Sequence, residues 1–423
     1  MNGFYIMGLE IICLIALAIA IIIGSLRNDI NAGIISISLA MGIGYYVGGL
    51  SISELSSVFP NELFLILVGI TLLFYMTQEN GTLEKISKDA IWLIHGKSFL
   101  IPIFLFLFAF SLSAIGPGNI AAVAIIAPLG IAVGYKFSIN PLLSSIMICT
   151  GANAGTFSPV SPTGIISTTL LKNIHPELES LNFTIFVYTA LFQAFSALIA
   201  YFLFKGYKTK QYALGDKDHF PDRPASFSKK QLVTLLLINL LILSVILFDV
   251  PIGLGAYVLI LIFALFKIGK LDKGLKEIPW SPILLVTGIS VLIGLIQKTG
   301  GLILATDFIA QNTPQNFINS IFAFITGLIS LYSSSSGVVM PTFMNLIPGL
   351  IAKVNNLNVT ELVIAINVGS HMVDVSPLST LGALCLAAVR EEDRNKIFRN
   401  LLLWGFSMLA FSTIMAYIFL DLF

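Results

Sequence analysis

A chain of 423 residues that is 57% hydrophobic and 11% charged, with a mean hydropathy of +0.94, is not built like a soluble domain, in which about 25% of residues are charged. Composition therefore predicts an integral membrane protein. A formal net charge of +1, with no basic run interleaved with aromatics, excludes the electrostatic footprint of a nucleic-acid partner. Cys13, Cys149 and Cys385 sit far apart in apolar segments and are expected to be small core residues, without a disulfide or metal role.

A spanning helix needs about 20 mostly apolar residues, which places spans at 5–24, 31–49 and 61–78. The first lacks a basic n-region and is expected to be a span rather than a cleaved signal. Residues 83–95 set Lys85, Lys88 and Asp89 against Leu83, Ile86, Ile91 and Trp92, a pattern expected to lie in the membrane interface. The apolar run 98–135 is interrupted by Ser113-Ala-Ile-Gly-Pro-Gly-Asn119, so it is either two spans or a re-entrant hairpin with that sequence at its tip. Within 141–171 lies Gly151-Ala-Asn-Ala-Gly-Thr-Phe-Ser-Pro-Val-Ser-Pro-Thr-Gly164, with three Gly, two Pro and four hydroxyl residues. Pro removes a backbone donor and Gly weakens a helix, so the span is expected to break there. At membrane depth such a break is tolerated only where the freed groups face protein, water, an ion or a ligand. A plain span at 183–204 precedes the polar segment 205–230, the one convincing linker.

The second half repeats the first. Pro60, Gly69, Gln78 and Gly81 recur 219 residues later as Pro279, Gly288, Gln297 and Gly300. Asn140, Gly151, Ser158-Pro-Val-Ser161 and Gly164 recur at an offset of 218 as Asn358, Gly369, Ser376-Pro-Leu-Ser379 and Gly382. Repeat 1 is thus 1–204 and repeat 2 is 231–423, with spans at 230–248, 252–267, 281–297 and 398–421. Between them come an interrupted run at 315–352, tipped by Ser333-Ser-Ser-Ser-Gly337, and a broken span at 359–389.

With one hairpin each, both repeats contain five spans, an odd number, and are therefore inverted. If the linker is cytoplasmic, 20 of the 23 Lys and Arg residues fall on that side, and only Lys172, Lys298 and Lys353 fall outside. That is the positive-inside bias, and it puts both termini outside. Charge does not separate a hairpin from two full spans; the Gly-Pro-Gly and four-Ser tips favour hairpins meeting near the midplane. The predicted fold is an all-α polytopic membrane protein of two inverted repeats, each with five transmembrane helices, a re-entrant hairpin (98–135, 315–352) and a broken helix (141–171, 359–389).

Nucleotide machinery is not visible: Gly96-Lys97-Ser98 lacks the earlier Gly of a phosphate loop. The four His are scattered, and no nucleophile–base pair is suggested by spacing, so the chain is not expected to be an enzyme. Inverted repeats with interrupted helices are instead the signature of secondary transport. Half-helix N-termini suit a carboxylate, while unwound carbonyls and Ser, Thr and Asn oxygens suit a hard cation such as Na⁺. Neither break contains Lys or Arg, so a bound anion is expected to be neutralised by helix dipoles and co-bound cations. Candidate substrate ligands are Asn119, Asn153, Ser158, Ser161 and Thr163 in repeat 1, with Ser335, Ser336, Ser370, His371, Ser376, Ser379 and Thr380 in repeat 2. Candidate cation ligands are Ser113, Gly116, Asn119, Gly151 and Thr156, with Ser333, Gly369 and Asp374.

Asp374 leads, because a carboxylate inside a membrane segment is expensive and functional by default; it is expected to ligate a cation or carry a proton. Its repeat mate is the neutral Thr156, so the two sites are expected to differ. His371, the mate of Asn153, is expected either to donate to a substrate carboxylate or to pair with Asp374. Gln78 and Gln297, at matched span ends, are expected to be structural.

Gly118-Asn119-Ile-Ala-Ala with Pro128, the 151–164 break, Ser333–Gly337 and Gly369-Ser-His with Asp374-Val-Ser-Pro-Leu-Ser-Thr380 resemble malonate/C4-dicarboxylate carriers, within the superfamily that includes divalent-anion:sodium symporters. The resemblance covers nearly the whole chain. It implies a homodimer, each subunit with a scaffold domain and a transport domain that moves as an elevator. It also implies a substrate held between the hairpin tips with one Na⁺ beside each. Asn119 matches the Asn of the symporters' Ser-Asn-Thr tip, where Gly118 and Ile120 replace Ser and Thr; the second tip has no Asn. The expected function is secondary transport of small dicarboxylates such as malonate, malate or succinate by Na⁺ symport. The expected scaffold is spans 1–3 and 6–8, in the lipid of a plasma or inner membrane. Alternatives are an H⁺-coupled carrier, an exchanger, a channel, or a membrane subunit of an ATP-driven pump.

Overall fold

In lipid an apolar segment can satisfy its backbone only by closing hydrogen bonds within itself, so the uninterrupted runs become helices. The structure, a computed structural model, describes residues 2–27, 30–92, 98–208, 225–248, 250–278, 280–331, 333–354 and 357–422. Among the described residues there is no strand.

The first half runs α1 (Asn2–Leu26), α2 (Ala32–Gly42, continued by a wider helical turn to Val47), α3 (Ile52–Ser56), α4 (Asn61–Glu79), α5 (Thr82–Trp92), α6 (Ile101–Ala114), α7 (Gly118–Lys136), α8 (Pro141–Gly155), α9 (Pro162–Ile174) and α10 (Leu181–Leu203). The second runs α11 (Lys229–Phe248), α12 (Ile252–Leu265), α13 (Leu271–Glu277), α14 (Trp280–Lys298), α15 (Gly301–Asn312), α16 (Ile318–Ser330), α17 (Met340–Met344), α18 (Ile347–Ile351), α19 (Val359–Met372), α20 (Thr380–Ala387) and α21 (Glu391–Ala416). Among the described residues, five helical stretches are long and apolar enough to cross a membrane: Asn61–Glu79, Gly118–Lys136, Pro176–Leu203, Trp280–Lys298 and Glu391–Asp421. Large apolar side chains such as Leu191, Phe195, Leu198 and Phe202 on α10, and Leu236, Leu240 and Leu247 on α11, are exposed, as lipid-facing surfaces require.

Both expected breaks are present, between α8 and α9 and between α19 and α20. The Asn pair noticed in the sequence starts the two helices that lead into them. Asn140 accepts from the Leu142 amide at 3.0 Å, and Asn358 accepts from the Thr360 amide at 2.9 Å, each an N-cap. Two features depart from expectation. The second arm of 315–352 is not one helix but a wide turn over Ser335–Val339 followed by α17 and α18, each with a Pro (Pro341, Pro348) in its first turn, where the missing donor is harmless. Three helices, α3, α13 and α15, form where no element was expected. The central part of the linker, 209–224, lies outside the described residues, as do 93–97 of the interfacial segment. In α5 itself Lys85 pairs with Asp89, and Lys85 also lies 4.6 Å from the Phe227 ring at the end of the linker.

Helices α2 and α14 touch backbone to backbone. A Cβ on Gly33 would stand 1.9 Å from the Leu284 carbonyl oxygen, and one on Gly288 would stand 2.1 Å from the Gly33 oxygen. Only residues without a side chain allow that approach. Helix α4 packs along α12 in the other half. Helices α6, α7, α8, α19, α20 and α21 share one buried apolar cluster, while α1, α2 and α14 share another. A third, around Phe74, Phe157, Phe263 and Phe322, lies between the helices of those two groups. Cys149 and Cys385 both belong to the first cluster as thiols, with their sulfurs 3.5 Å apart. Their spacing of 236 residues offers no local reason for that approach.

Candidate functional site

Each break is closed by a glycine that lets the chain fold back on itself. After α8, the Gly164 amide donates to the Thr156 carbonyl at 3.0 Å, and the Ser161 amide donates to the Ser158 carbonyl at 3.0 Å. After α19, the Ser379 amide repeats the second bond by donating to the Ser376 carbonyl at 3.0 Å. Ser379 then caps α20, its hydroxyl accepting from the Gly382 amide at 3.5 Å. A Cβ on Gly164 or Gly382 would stand 1.9 Å or 2.0 Å from the carbonyl oxygen of Ser158 or Ser376. The shared Ser-Pro-x-Ser spacing is thus a shared backbone turn.

The two tips are built differently. At the first, Gly116 (φ 134°) and Gly118 (φ 80°) take conformations that L side chains rarely adopt, reversing the chain between α6 and α7. Gly116 also lies flat on α4, where a Cβ would meet the Phe74 ring at 2.1 Å. Gly116→Ala is therefore expected to lose about 1–3 kcal/mol from backbone strain and a similar amount from overpacking. The check is a lowered melting temperature in detergent that Phe74→Ala only partly restores, because the strain persists. At the second tip, the Ser334 hydroxyl accepts from the Gly337 amide at 3.0 Å and starts the wide turn.

Asn153, at the end of α8, joins the halves. Its amide donates to the His371 carbonyl at 2.8 Å and to Asp374 Oδ2 at 3.2 Å, while its oxygen accepts from Asn119 at 2.8 Å. Asp374 also accepts from Ser335 at 2.5 Å and from Ser330 at 3.4 Å on Oδ1. The first tip, the second tip and both breaks therefore meet at one carboxylate. Since Asn119 starts α7 and bonds Asn153 near the end of the 15-residue α8, the tip reaches the depth of the break, about 22 Å along that helix.

Two cavities open here. The larger, of about 190 Å³, lies between the tips and the walls of α4 and α14. Asn119, Thr163, Ser334, Ser336 and Thr380 form one side, and Leu67, Thr71, Phe74, Tyr75, Gln78, Ser281 and Val286 form the other. The starts of α7, α9 and α20 and of the Ser335–Val339 turn all border it, and among the described residues no charged side chain lines it. Positive helix ends without a cation suit an anion that must later leave. The smaller cavity, about 30 Å³, is lined by Asn119, Ser333, Ser335, Ser336, Asp374, Ser379 and Thr380, and is of the size of a water or a small ion.

Several expected ligands line neither cavity. Gly151 and Gly369 serve packing: a Cβ on either would stand 2.2 Å from the Phe106 oxygen or 2.4 Å from the Ala323 oxygen, so they let α6 and α16 approach α8 and α19. His371 lines neither cavity and forms no hydrogen bond with Asp374 among the described contacts. It is buried, its Nδ1 donates to the Asn367 carbonyl at 2.9 Å, and its ring packs against Phe157 at 4.8 Å. Ser370 is turned back onto its helix, donating to the Ile366 carbonyl at 2.8 Å, and Ser376 and Ser158 lie buried within their turns. Gly116 packs on the Phe74 ring and lines neither cavity itself. Ser113, Thr156 and Ser161 are buried with hydroxyls that no protein group satisfies. Gln78, expected to be structural, lines the larger cavity with Tyr75, Phe74 and Ser281. Those residues sit on regular helices, so no break or unusual residue marked them.

Residues 7–156 match a family model described as the N-terminus of the dicarboxylate carrier protein MatC. The match takes in the first tip and Asn153 and stops at Thr156, before Asp374. No curated protein matches the chain.

Proposed function

We propose, from the malonate/C4-dicarboxylate carrier family that this match supports, that the protein is a multi-pass membrane transporter of small dicarboxylates driven by a cation gradient, with Na⁺ as the coupling ion. The observation that carries the reading is the larger cavity, bordered by the starts of α7, α9 and α20 and of the Ser335–Val339 turn, and lined among the described residues by no charged side chain. Backbone amides and the groups of Asn119, Thr163, Ser336 and Thr380 would hold the carboxylates. Without a resident Lys or Arg, release does not require breaking an ion pair at membrane depth.

The residues fit a hard cation at two places. Asp374, with the hydroxyl oxygens of Ser335 and Ser330 beside it, offers a charged site in the second half. Ser113, Thr156 and Ser161 offer buried, unpartnered hydroxyl oxygens in the first. A cation beside the anion lowers the cost of carrying either across the bilayer, which is the physical basis of coupling.

Inverted repeats with an elevator movement account for the packing. Helices α6, α7, α8, α20 and α21 draw on one core and α1, α2 and α14 on another, which an elevator movement would let slide past each other across the third cluster. Tip 1 on Phe74, and the second-tip Gly337 against Leu285, are then the sliding contacts. The cavity reaches Gln78 and Ser281, at the ends of α4 and α14 beside Lys85 and Lys276. With the positive side cytoplasmic, this state faces inward. A homodimer would hold the scaffold fixed while the other body moves.

Uptake of labelled malonate and succinate into proteoliposomes tests the reading. An inward Na⁺ gradient is expected to drive saturable accumulation. Accumulation with an H⁺ gradient alone would replace Na⁺ by protons; flux that requires substrate on the far side would make the protein an exchanger. Unsaturable flux without accumulation would exclude a carrier.

A further inference from the structure

Helix α10 reads as a plain span, yet Gln193 near its middle is 1% exposed, on the face opposite the lipid-facing Leu191, Phe195 and Leu198. A carboxamide buried in a membrane helix is costly unless it is hydrogen-bonded. The helix packs on α8 and α19, and the Gln193 amide donates to the His371 carbonyl at 2.9 Å. That carbonyl also accepts from the Asn153 amide at 2.8 Å, so two side-chain amides of the first half hold one backbone oxygen of the second.

The matched carbonyl of the first half is satisfied differently. The last turn of a helix leaves carbonyls without an intrahelical partner. At the end of α8 the Asn153 carbonyl accepts from the Thr156 amide at 3.3 Å, so the backbone closes that turn by itself. At the end of α19 the equivalent bond would run from the Asp374 amide to the His371 carbonyl, and among the described residues no backbone amide donates there. Asp374 thus lies just past a helix end that is tethered by side chains instead of closed by its own turn. Of the two tethers Asn153 is shared, because the same amide reaches Asp374 Oδ2 at 3.2 Å. Gln193 anchors the carbonyl from the other side, which leaves Asn153 placed between carbonyl and carboxylate. We infer that Gln193 is a positioning residue for the coupling-cation site, an inference that rests on the reading of Asp374 as a cation ligand. It lines neither cavity and acts by holding the end of α19, and with it Asp374, in register with Ser335.

The test is uptake by the purified full-length protein in proteoliposomes, read as the half-saturating concentration of whichever cation, Na⁺ or H⁺, drives the unaltered protein. Gln193→Met keeps the volume of the side chain and removes the donor. It is expected to raise that concentration about fivefold, the scale of one neutral hydrogen bond, and to leave KM for the dicarboxylate at saturating cation unchanged. Gln193→Asn keeps the amide but shortens its reach, and is expected to shift the cation dependence in the same direction should the first variant not assemble. Ser196→Ala, on the same buried face, removes a bond to Met408 Sδ and is expected to change neither quantity. A lowered melting temperature and maximal rate with unchanged cation dependence would make Gln193 a structural strut and overturn this inference alone. Uptake by the unaltered protein that responds to neither gradient would overturn the transport reading and this inference together.

Discussion

Asp374→Asn is expected to abolish most cation-dependent uptake while leaving the protein folded. The carboxylate accepts from Ser335 and Ser330 on one oxygen and from Asn153 on the other. An asparagine keeps the first set of bonds but turns its own amide toward the Asn153 amide, setting donor against donor. The Asn153 oxygen is already used by Asn119, so that side chain cannot flip without losing another bond. Loss of one charge-assisted ligand is worth roughly 1.5–3 kcal/mol, which corresponds to about 10- to 150-fold in apparent cation affinity. The measurement is the Na⁺ dependence of uptake alongside the melting temperature in detergent. Reduced uptake with an unchanged Na⁺ dependence would make Asp374 a structural crosslink and remove it from the cation site.

Gly164→Ala and Gly382→Ala are expected to have large structural effects at the cavity. In each case the new methyl meets a backbone oxygen of the same turn at 1.9 Å or 2.0 Å, and backbone cannot rotate away as a side chain can. Overpacking of this kind costs about 3 kcal/mol or more when nothing yields. Relief requires opening the turn, which moves the start of α9 or α20 and with it Thr163 or Thr380 at the cavity edge. A fall in melting temperature and loss of substrate binding are expected together. Gly42→Ala is the control, because a Cβ there meets nothing within 4 Å; its effect is expected to stay within about 0.5 kcal/mol. Equal stability of Gly164→Ala and Gly42→Ala would show that the turn is looser than its contacts imply.

The breaks were legible because their cause is local. Pro159, Pro162 and Gly164 forbid a continuous helix wherever the chain goes, and the N-caps Asn140 and Asn358 act on amides two residues away. For the same reason the second hairpin arm was misjudged: Pro341 and Pro348 fragment it, yet only the short α17 and α18 show how completely. Assigning ligands by residue type was less secure. Ser370 and Ser335 look alike in sequence, but one bonds its own helix and the other reaches Asp374.

An apolar, helical membrane chain, interrupted at matched places in its two halves and with one carboxylate in the second break, can be read from the residues alone. Those properties follow from composition and from backbone rules that act within a few residues. What the breaks face is set by the packing of the whole fold. It joined Asn119, Asn153, Ser335 and Asp374 across separations of up to 221 residues. It turned His371 away from the cavities and brought Tyr75 and Gln78 from an unbroken helix to the cavity wall. Which face of a helix meets which neighbour depends on the packing of all the others, and no local pattern encodes it.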